Sequence, residues 1–247
     1  MKDPVIIFEK VSKSYPLYHN LMGIKRFLFS FTKSLRAFKN SRFEALRDIS
    51  FEVYRGETFG IIGRNGAGKS TILGLIAGVL KPTQGKVLVR GRIASLLELG
   101  GGFHWELTGR ENIMLNGILL GLTREEVRKK MDAIIEFSEL GEFIDQPIRV
   151  YSSGMLARLG FSVVAHLDPE ILLVDEILTV GDINFQRKCL EKMLNFKKNG
   201  TTIVFVSHSM EDIKRLCDRV MWIENHNIKM IGEPEEVVSN YIKFVNS

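Results

Sequence analysis

A glycine-rich stretch at residues 63–71 constrains the fold of this chain more than any other part of its sequence. It reads Gly-Arg-Asn-Gly-Ala-Gly-Lys-Ser-Thr and lies between two apolar runs, at 58–62 and at 71–77. A G-x-x-x-x-G-K-S pattern that follows a strand and opens a helix is typical of a phosphate-binding loop. Its glycines let backbone N–H groups surround phosphate oxygens, and the helix behind it adds partial positive charge. We therefore expect the chain to bind a nucleoside triphosphate.

Two side chains of this loop carry the expected chemistry. Lys69 can reach the β- and γ-phosphates, and the Ser70 hydroxyl can bind Mg²⁺. A glycine-rich turn with a chance lysine is the simpler alternative, but the strand-like and helix-like flanks weigh against it. The predicted nucleotide-binding residues are Gly63, Arg64, Asn65, Gly66, Ala67, Gly68, Lys69, Ser70 and Thr71.

The composition is that of an ordinary globular protein, and 247 residues can bury a sizeable core. No apolar run reaches the roughly 18 residues that a membrane-spanning helix needs. Asp3 and Pro4 stand where a signal peptide would be apolar. Cys189 and Cys217 form no C-x-x-C pair and are typical of reduced cytosolic cysteines. We predict a cytoplasmic protein, which does not exclude contact with a membrane surface.

Positive charge is concentrated in one segment. Between Lys10 and Phe43 there is no acidic residue, and the eight lysines and arginines there exceed the net charge of +5 of the whole chain. Apolar residues recur in this segment at steps of three and four, which predicts a basic amphipathic helix within 17–43. They are Leu21, Ile24, Leu28, Phe31, Leu35 and Phe38. Such a helix can face an anionic membrane or a permease, or it can pack on its own domain with its cations in water.

Strand-like and helix-like patterns alternate along much of the chain, which predicts a parallel α/β core. The predicted strands span 5–8, 45–53, 58–62, 86–90, 93–97, 171–174, 202–206 and 220–223. The stretch 234–245 predicts a closing helix.

A helical insert interrupts this core at about 105–155. It contains two helix-like stretches, at 111–120 and at 123–140. Thr123 and Glu126 predict a capping box at the start of the second stretch.

Two acidic residues follow one of the predicted buried strands. The run 171–174 is continuously apolar, as expected of a buried parallel strand, and Asp175 and Glu176 come directly after it. Ligands gather at the carboxyl ends of parallel strands. We predict that Asp175 holds Mg²⁺ and that Glu176 orients or deprotonates the attacking water. A solvated turn is the ordinary alternative.

The strand predicted at 202–206 repeats this geometry, because it runs into Ser207 and His208. We expect His208 to contact the γ-phosphate or to position the water. A histidine with a purely structural role is the alternative.

A second group of small residues precedes a helix-like stretch upstream of Asp175. It consists of Ser152, Ser153 and Gly154, followed by Met155. Exposed N–H groups at a helix start form an anion site. Since one chain has no evident use for two triphosphate sites, we infer a two-fold dimer in which this site closes on the nucleotide of the other copy.

These motifs together resemble those of the ATP-binding cassette (ABC) ATPases, over essentially the whole chain. The resemblance implies a P-loop NTPase ABC ATPase fold, which is an α/β core with a mostly parallel sheet, an antiparallel β edge and an inserted helical subdomain. The RecA-like core would comprise 1–104 and 156–247, and the helical subdomain 105–155. The implied cofactors are ATP and Mg²⁺, and the implied activity is hydrolysis of ATP to ADP and phosphate.

The resemblance also gives each motif a role. The assignments are Walker A for Gly63–Thr71, Walker B and base for Asp175 and Glu176, switch histidine for His208, signature for Ser152–Met155, and D-loop acid for Asp182. Tyr15 matches the aromatic residue that stacks on adenine, with a tyrosine in the core as the alternative.

Two features depart from the family pattern. Ser153 and Met155 stand where the usual signature has glycine and glutamine, and the loop that carries a glutamine in the family has none here. Glu98 is the nearest polar residue and is our candidate for sensing Mg²⁺ and water. Together with the motif Leu-Thr-Gly-Arg-Glu-Asn at 107–112, these features make the sequence resemble one subfamily. It consists of the ATPase subunits of bacterial polysaccharide exporters of the O-antigen, capsule and teichoic acid type. Some O-antigen members carry a further carbohydrate-binding domain, so the chain resembles a short-tailed member or the ATPase half of a longer one.

The subfamily resemblance implies several partners at the cytoplasmic face of the bacterial inner membrane. They are a second copy of the chain enclosing two ATP molecules, transmembrane permease subunits, a lipid-linked polysaccharide as cargo, and the membrane surface through 17–43. In this family the groove between the core and the helical insert receives a permease helix. Phe103, His104 and Trp105 are our candidate contacts there, with Trp105 as a cap on the core of the insert as the alternative.

A competing class is a soluble ABC ATPase that acts on nucleic acid or the ribosome, with the basic segment contacting phosphates. The apolar face of that segment weighs against it, and we predict no nucleic-acid partner. A cassette that serves another substrate, such as a peptide or a lipid, is the third possibility.

Overall fold

The computed structural model describes residues 3–16, 42–96, 102–175 and 182–246. The predicted amphipathic helix lies outside these ranges, apart from its last two positions, Arg42 and Phe43. Glu98 and Glu176 also lie outside them, so their roles stay predictions.

The described strands are β1 (Pro4–Pro16), β2 (Arg42–Tyr54), β3 (Thr58–Ile62), β4 (Gln84–Val89), β5 (Ile93–Ser95), β6 (Ile171–Asp175), β7 (Thr202–Val206), β8 (Arg219–Glu224) and β9 (Asn227–Gly232). The described helices are α1 (Lys69–Ile76), α2 (Gly109–Leu119), α3 (Arg124–Ser138), α4 (Ser153–Ala165), α5 (Ile183–Lys198), α6 (Met210–Leu216) and α7 (Pro234–Val245). Two 3₁₀ turns, Gly141–Asp145 and Ile148–Val150, connect α3 to α4.

The central sheet has six strands in the order β5-β6-β7-β3-β8-β9. All neighbouring strands are parallel except β8 and β9, so β9 forms an antiparallel edge. Every residue of β3 and β7 is buried, which explains their uninterrupted apolar sequences. This is the mostly parallel sheet with an antiparallel edge that the family resemblance implied.

A second, three-stranded antiparallel sheet has the order β2-β1-β4. Its aromatic side chains join it to the central sheet, because Phe51 stacks on Phe8 at 4.5 Å and on Phe59 of β3 at 5.5 Å. The predicted strands at 86–90 and 93–97 therefore belong to different sheets. The sequence pattern did not indicate this separation.

The helices α2, α3 and α4 build a smaller core of their own, which includes Ile113, Val127 and Leu159. The predicted capping box at Thr123 is confirmed, and a second box that was not predicted starts α2 at Thr108. Helix α4 belongs to both cores, since Leu159 faces the small core while Phe161 lies in the core beneath the central sheet. Within the described ranges, no helix combines the length and the hydropathy needed to cross a bilayer.

Candidate functional site

The glycine-rich loop 63–71, between β3 and α1, is crowded by backbone atoms on two sides. Gly68 has φ of +115°, and a Cβ atom there would lie 2.7 Å from the carbonyl oxygen of Ala45. A Cβ atom at Gly63 would lie 2.2 Å from the carbonyl oxygen of Ile223. Only glycine fits at both positions, since these neighbours are backbone atoms that cannot rotate away. The loop is therefore shaped by strands β2 and β8 as well as by its own sequence.

Lys69 is the first residue of α1, and its side chain points back into the curve of this loop. The ammonium group donates hydrogen bonds to the carbonyl oxygens of Gly63 at 2.9 Å and of Arg64 at 3.1 Å. Only 7% of the residue is exposed. This position agrees with the role that the sequence predicts, because an anion held by the loop would meet a buried positive charge.

Ser70 and Asp175 lie together at the same edge of the sheet. The Ser70 hydroxyl is 3.5 Å from a carboxylate oxygen of Asp175, which is the last residue of β6. A hydroxyl and a carboxylate are both hard oxygen donors, which Mg²⁺ prefers. These two side chains therefore fit the ion, although they are 105 positions apart in the sequence.

The structure also brings His208 to this edge. Strand β7 lies between β6 and β3, with Val206 paired to Asp175 on one side and to Ile61 on the other. His208 follows two residues later and is exposed. It therefore emerges between the metal-site candidate Asp175 and the strand that leads into the phosphate-binding loop.

Tyr15 lies near the end of β1, opposite Phe43 of β2. Phe43 is two residues, or roughly 7 Å of strand, from Ala45, whose carbonyl oxygen would lie 2.7 Å from a Cβ atom at Gly68. The Tyr15 side chain is partly exposed, and the Lys13 ammonium lies 5.1 Å from the centre of its ring. The tyrosine is thus at a surface beside the loop and not in the core, as stacking on a base requires.

The residues predicted to be the signature form the start of helix α4. Ser152 is its N-cap and accepts a hydrogen bond of 3.2 Å from the backbone N–H of Met155. Ser152 and Ser153 are exposed, whereas Gly160 lines the groove that also contains Ser70. Because eight helical residues, or about 12 Å, separate Ser152 from Gly160, the signature is displaced along the helix from the groove-lining part of α4.

Asp182 is the N-cap of helix α5. Its carboxylate accepts hydrogen bonds from the backbone N–H groups of Phe185 at 3.0 Å and of Asn184 at 2.9 Å, and it forms an ion pair with Arg158 of α4. The bond from Phe185 and the charge of Arg158 hold the pKa of Asp182 below its ordinary value of 3.8. Sequence reasoning did not single out Arg158, since nothing in its local pattern indicates a contact with a residue 24 positions away.

A groove of about 730 Å³ lies between the central sheet and the helices α2 and α4. Ser70 and Asp175 line it together with apolar side chains, among them Leu80 and Phe103. The groove therefore connects the metal-site candidates with the loop that precedes α2.

Asn112 holds that loop in place. It is completely buried, and its side chain accepts a hydrogen bond from the His104 N–H at 2.7 Å. The same side chain donates to the carbonyl oxygens of His104, Leu107 and Thr108 at 2.9 to 3.1 Å. Trp105 is nevertheless 57% exposed, which disagrees with the alternative that it caps the core of the insert.

Comparisons with known proteins agree with this geometry. The ABC transporter family model matches residues 46–179, which is more than half of the chain. The O-antigen export system ATP-binding protein RfbB of Klebsiella pneumoniae is 60% identical over 97% of this chain and 98% of its own length. The teichoic acids export ATP-binding protein TagH of Listeria innocua is 46% identical over 99% of this chain and 71% of its own length.

Among solved structures, the dimeric ATP-binding cassette MJ0796 bound to ADP and phosphate has a similar fold. It superposes with a TM-score of 0.73 at 22% identity, covering 93% of this chain and 98% of that chain. The family match and the RfbB relative extend this likeness from fold to family. The chain belongs to the ABC transporter family and is an ATP-binding cassette ATPase.

Proposed function

We propose that this chain is the ATP-hydrolysing subunit of an exporter that moves a lipid-linked polysaccharide of the O-antigen type across the bacterial inner membrane. The observation that carries the proposal is the 60% identity to an O-antigen export ATP-binding protein over nearly the full length of both chains. Teichoic acid export is the second candidate, because TagH is 46% identical over 99% of this chain. The lower identity places it behind the first.

In this proposal hydrolysis takes place at the carboxyl edge of the central sheet. The loop 63–71 and the buried Lys69 bind the phosphates, while Ser70 and Asp175 hold Mg²⁺. When bound, the ion neutralises charge on the phosphate oxygens. Glu176 orients or deprotonates the attacking water, and His208 contacts the γ-phosphate from the neighbouring strand end.

The signature would serve the nucleotide of a second copy. Two observations support this placement. Ser152 and Ser153 are exposed and displaced from the groove that contains Ser70. In addition, α1 and α4 alone among the seven described helices have no acidic residue at the N-cap or in the first turn. A helix start without carboxylates is suited to a phosphate.

Transport would draw on the difference between an ATP-bound closed dimer and an ADP-bound open one. The groove of about 730 Å³ is the proposed seat of a permease helix. Its apolar lining and the exposed Trp105 on the adjoining loop suit an amphipathic helical partner. The basic segment 17–43 would contact the anionic membrane surface beside that permease.

The first test replaces the proposed base. Glu176→Gln protein should bind ATP, release phosphate at least 100-fold more slowly than the wild type, and accumulate as an ATP-bound dimer. Phosphate release and light scattering measure the two effects. Adding Lys69→Ala in the same background should abolish the dimer, because the nucleotide is no longer held. A Glu176→Gln enzyme with normal turnover would refute the assignment of the base.

The membrane contact has a separate test. The Glu176→Gln protein with ATP and Mg²⁺ is mixed with anionic liposomes, with and without segment 17–43. Binding that needs the segment and survives moderate salt supports the membrane-facing subunit, because burial of an apolar face is not screened by ions. Salt-sensitive binding to RNA without binding to liposomes would favour the soluble class instead.

A further inference from the structure

Four charged side chains form a chain of ion pairs across helices α3, α4 and α5. They are Asp182, Arg158, Glu139 and Lys188, and we call them the Arg158 cluster. Within the described residues, this cluster joins helix α4 to Asp182. Helix α4 starts with the predicted signature, and the family resemblance assigns Asp182 as the D-loop acid. None of the roles assigned above accounts for Arg158.

Arg158 lies at the centre of the cluster. One of its terminal nitrogens bonds a carboxylate oxygen of Asp182, and the other is 3.4 Å from a carboxylate oxygen of Glu139. Its guanidinium carbon lies 5.0 Å from the centre of the Phe185 ring. The side chain is only 19% exposed. A planar, partly buried guanidinium held on three sides keeps one orientation far better than a solvent-exposed lysine would.

Each acid of the cluster is fixed by a second set of bonds. One oxygen of Asp182 accepts the N–H groups of Asn184 and Phe185, which leaves the other oxygen for Arg158. Glu139 ends α3 in a left-handed conformation with φ of +55°. Its second oxygen accepts a hydrogen bond of 2.9 Å from Lys188 of α5. Both partners of Arg158 are therefore anchored to α5.

Apolar packing beneath the cluster joins the same three helices. The rings of Phe137, Phe161 and Phe185 lie 5.9 to 6.3 Å apart, one from each helix. The bonds of Arg158 add directional, charge-assisted contacts between charged groups to this packing.

We propose that Arg158 is a positioning residue, which holds the start of α4 at a defined orientation relative to Asp182 so that both meet the nucleotide of the partner copy as one unit. Ser152 lies six residues before Arg158 on the same helix, a distance of about 9 Å. A small rotation at the guanidinium therefore displaces the signature. The inference rests on the dimer described under the proposed function.

The test separates nucleotide binding within one copy from closure on the other. Arg158→Gln is compared with the unmodified chain, and Arg158→Lys serves as the conservative variant. Binding of a fluorescent ATP analogue to the monomer should change less than twofold, because Arg158 does not contact the loop 63–71. In the Glu176→Gln background, the ATP concentration for half-maximal dimerisation should rise at least tenfold, with partial recovery in Arg158→Lys.

Asp182→Asn tests the other side of the same bond. Asparagine caps a helix as well as aspartate does, so α5 keeps its start while the ion pair is lost. We expect a shift in dimerisation no larger than that of Arg158→Gln, and the double variant should shift no further than Arg158→Gln alone, since that substitution already removes the ion pair with Asp182. Lys129→Gln is the matched control, because Lys129 pairs with Glu125 at 2.9 Å on the exposed face of α3.

The melting temperature distinguishes positioning from a merely structural role. Partly exposed ion pairs add little stability, so Arg158→Gln should melt within about 3 °C of the wild type. Dimerisation equal to wild type in Arg158→Gln, additive shifts in the double variant, or a parallel loss of melting temperature and analogue binding would each overturn the inference. Failure of the Glu176→Gln parent to dimerise with ATP would instead overturn the proposed dimer on which the inference rests.

Discussion

The starts of helices α1 and α4 share one electrostatic property and differ in almost every other. Neither has an acidic residue at its N-cap or in its first turn, whereas the other described helices all do. At α1 the backbone is enclosed, since Gly68 has φ of +115° and a Cβ atom there would lie 2.7 Å from the carbonyl oxygen of Ala45. At α4 the caps are exposed, and a Cβ atom at Gly154 would find its nearest neighbour at 3.8 Å.

The two helix starts therefore differ in their surroundings. Strands β2 and β8 of the same chain enclose the start of α1. The start of α4, by contrast, leaves Ser152 and Ser153 exposed in the described part of the chain. We interpret it as half of a site, which the proposed partner copy completes. Substitutions at the two helix starts should therefore impair different properties of the protein.

The largest expected effect compares Gly68→Ala with Gly154→Ala. Alanine at Gly68 meets a backbone carbonyl and a positive φ, which costs roughly 1–3 kcal/mol, so ATP-analogue binding should fall at least tenfold and the melting temperature should drop. Alanine at Gly154 has room and favours the helix, so both quantities should be retained. Calorimetry and fluorescence titration measure them. Equal losses of analogue binding in the two variants would contradict the comparison.

The next effect separates stability from activity at α4. Met155→Glu would complete a capping box with Ser152, which typically stabilises a helix by about 0.5–1 kcal/mol, so the melting temperature should hold or rise. The new carboxylate would repel a phosphate at this helix start, and ATP hydrolysis should fall at least tenfold.

Met155→Gln is its neutral match, with the residue that the usual signature carries. It should hydrolyse ATP at least as fast as the wild type. If Met155→Glu hydrolyses ATP as fast as Met155→Gln, no anion approaches the start of α4.

The smallest effect concerns pH. Hydrogen bonds from Thr108 lower the pKa of Glu111, and those from Thr123 lower the pKa of Glu126, both below the ordinary value of 4.5. The stability that these carboxylates add is complete above pH 4.5 and is lost as pH falls through their lowered pKa values. Glu111→Gln/Glu126→Gln should reduce the difference in melting temperature between pH 6 and pH 3.

This acid sensitivity arises at the starts of α2 and α3, which carry the carboxylates of the capping boxes, whereas the start of α4 has no carboxylate. Introducing Met155→Glu should therefore increase the same difference in melting temperature. An unchanged pH dependence in both variants would show that the capping boxes contribute nothing to acid stability.

Local patterns predicted the elements and the family, while contacts between distant residues lay beyond them. The strand at 202–206 and the closing helix at 234–245 were predicted to the residue, because their periodicity and the proline at 234 are local signals. The α/β fold and the ABC resemblance are confirmed. Residue roles in the candidate site, including those of Tyr15 and Glu176, stay predictions.

What the sequence could not reveal was decided by pairing across the fold. Only Arg90–Arg92 separate β4 from β5, yet their partners place them in different sheets. The crowding of Gly68 depends on Ala45, and the orientation of Arg158 depends on Asp182 and Glu139. Each of these contacts needs the folded arrangement of strands and helices, which no local periodicity contains.

The hydrogen bonds of the Asn112 side chain determine which substitutions the loop before α2 can tolerate. The four hydrogen bonds that this side chain makes all reach backbone atoms of residues 104–108. Hydrogen bonds to backbone atoms depend on the path of the chain and do not depend on which side chains the loop carries. Substitution of the exposed Trp105 would therefore leave these four bonds in place, so the proposed permease contact can change without loss of the loop's path. The support of this loop and its proposed contact surface rest on different residues.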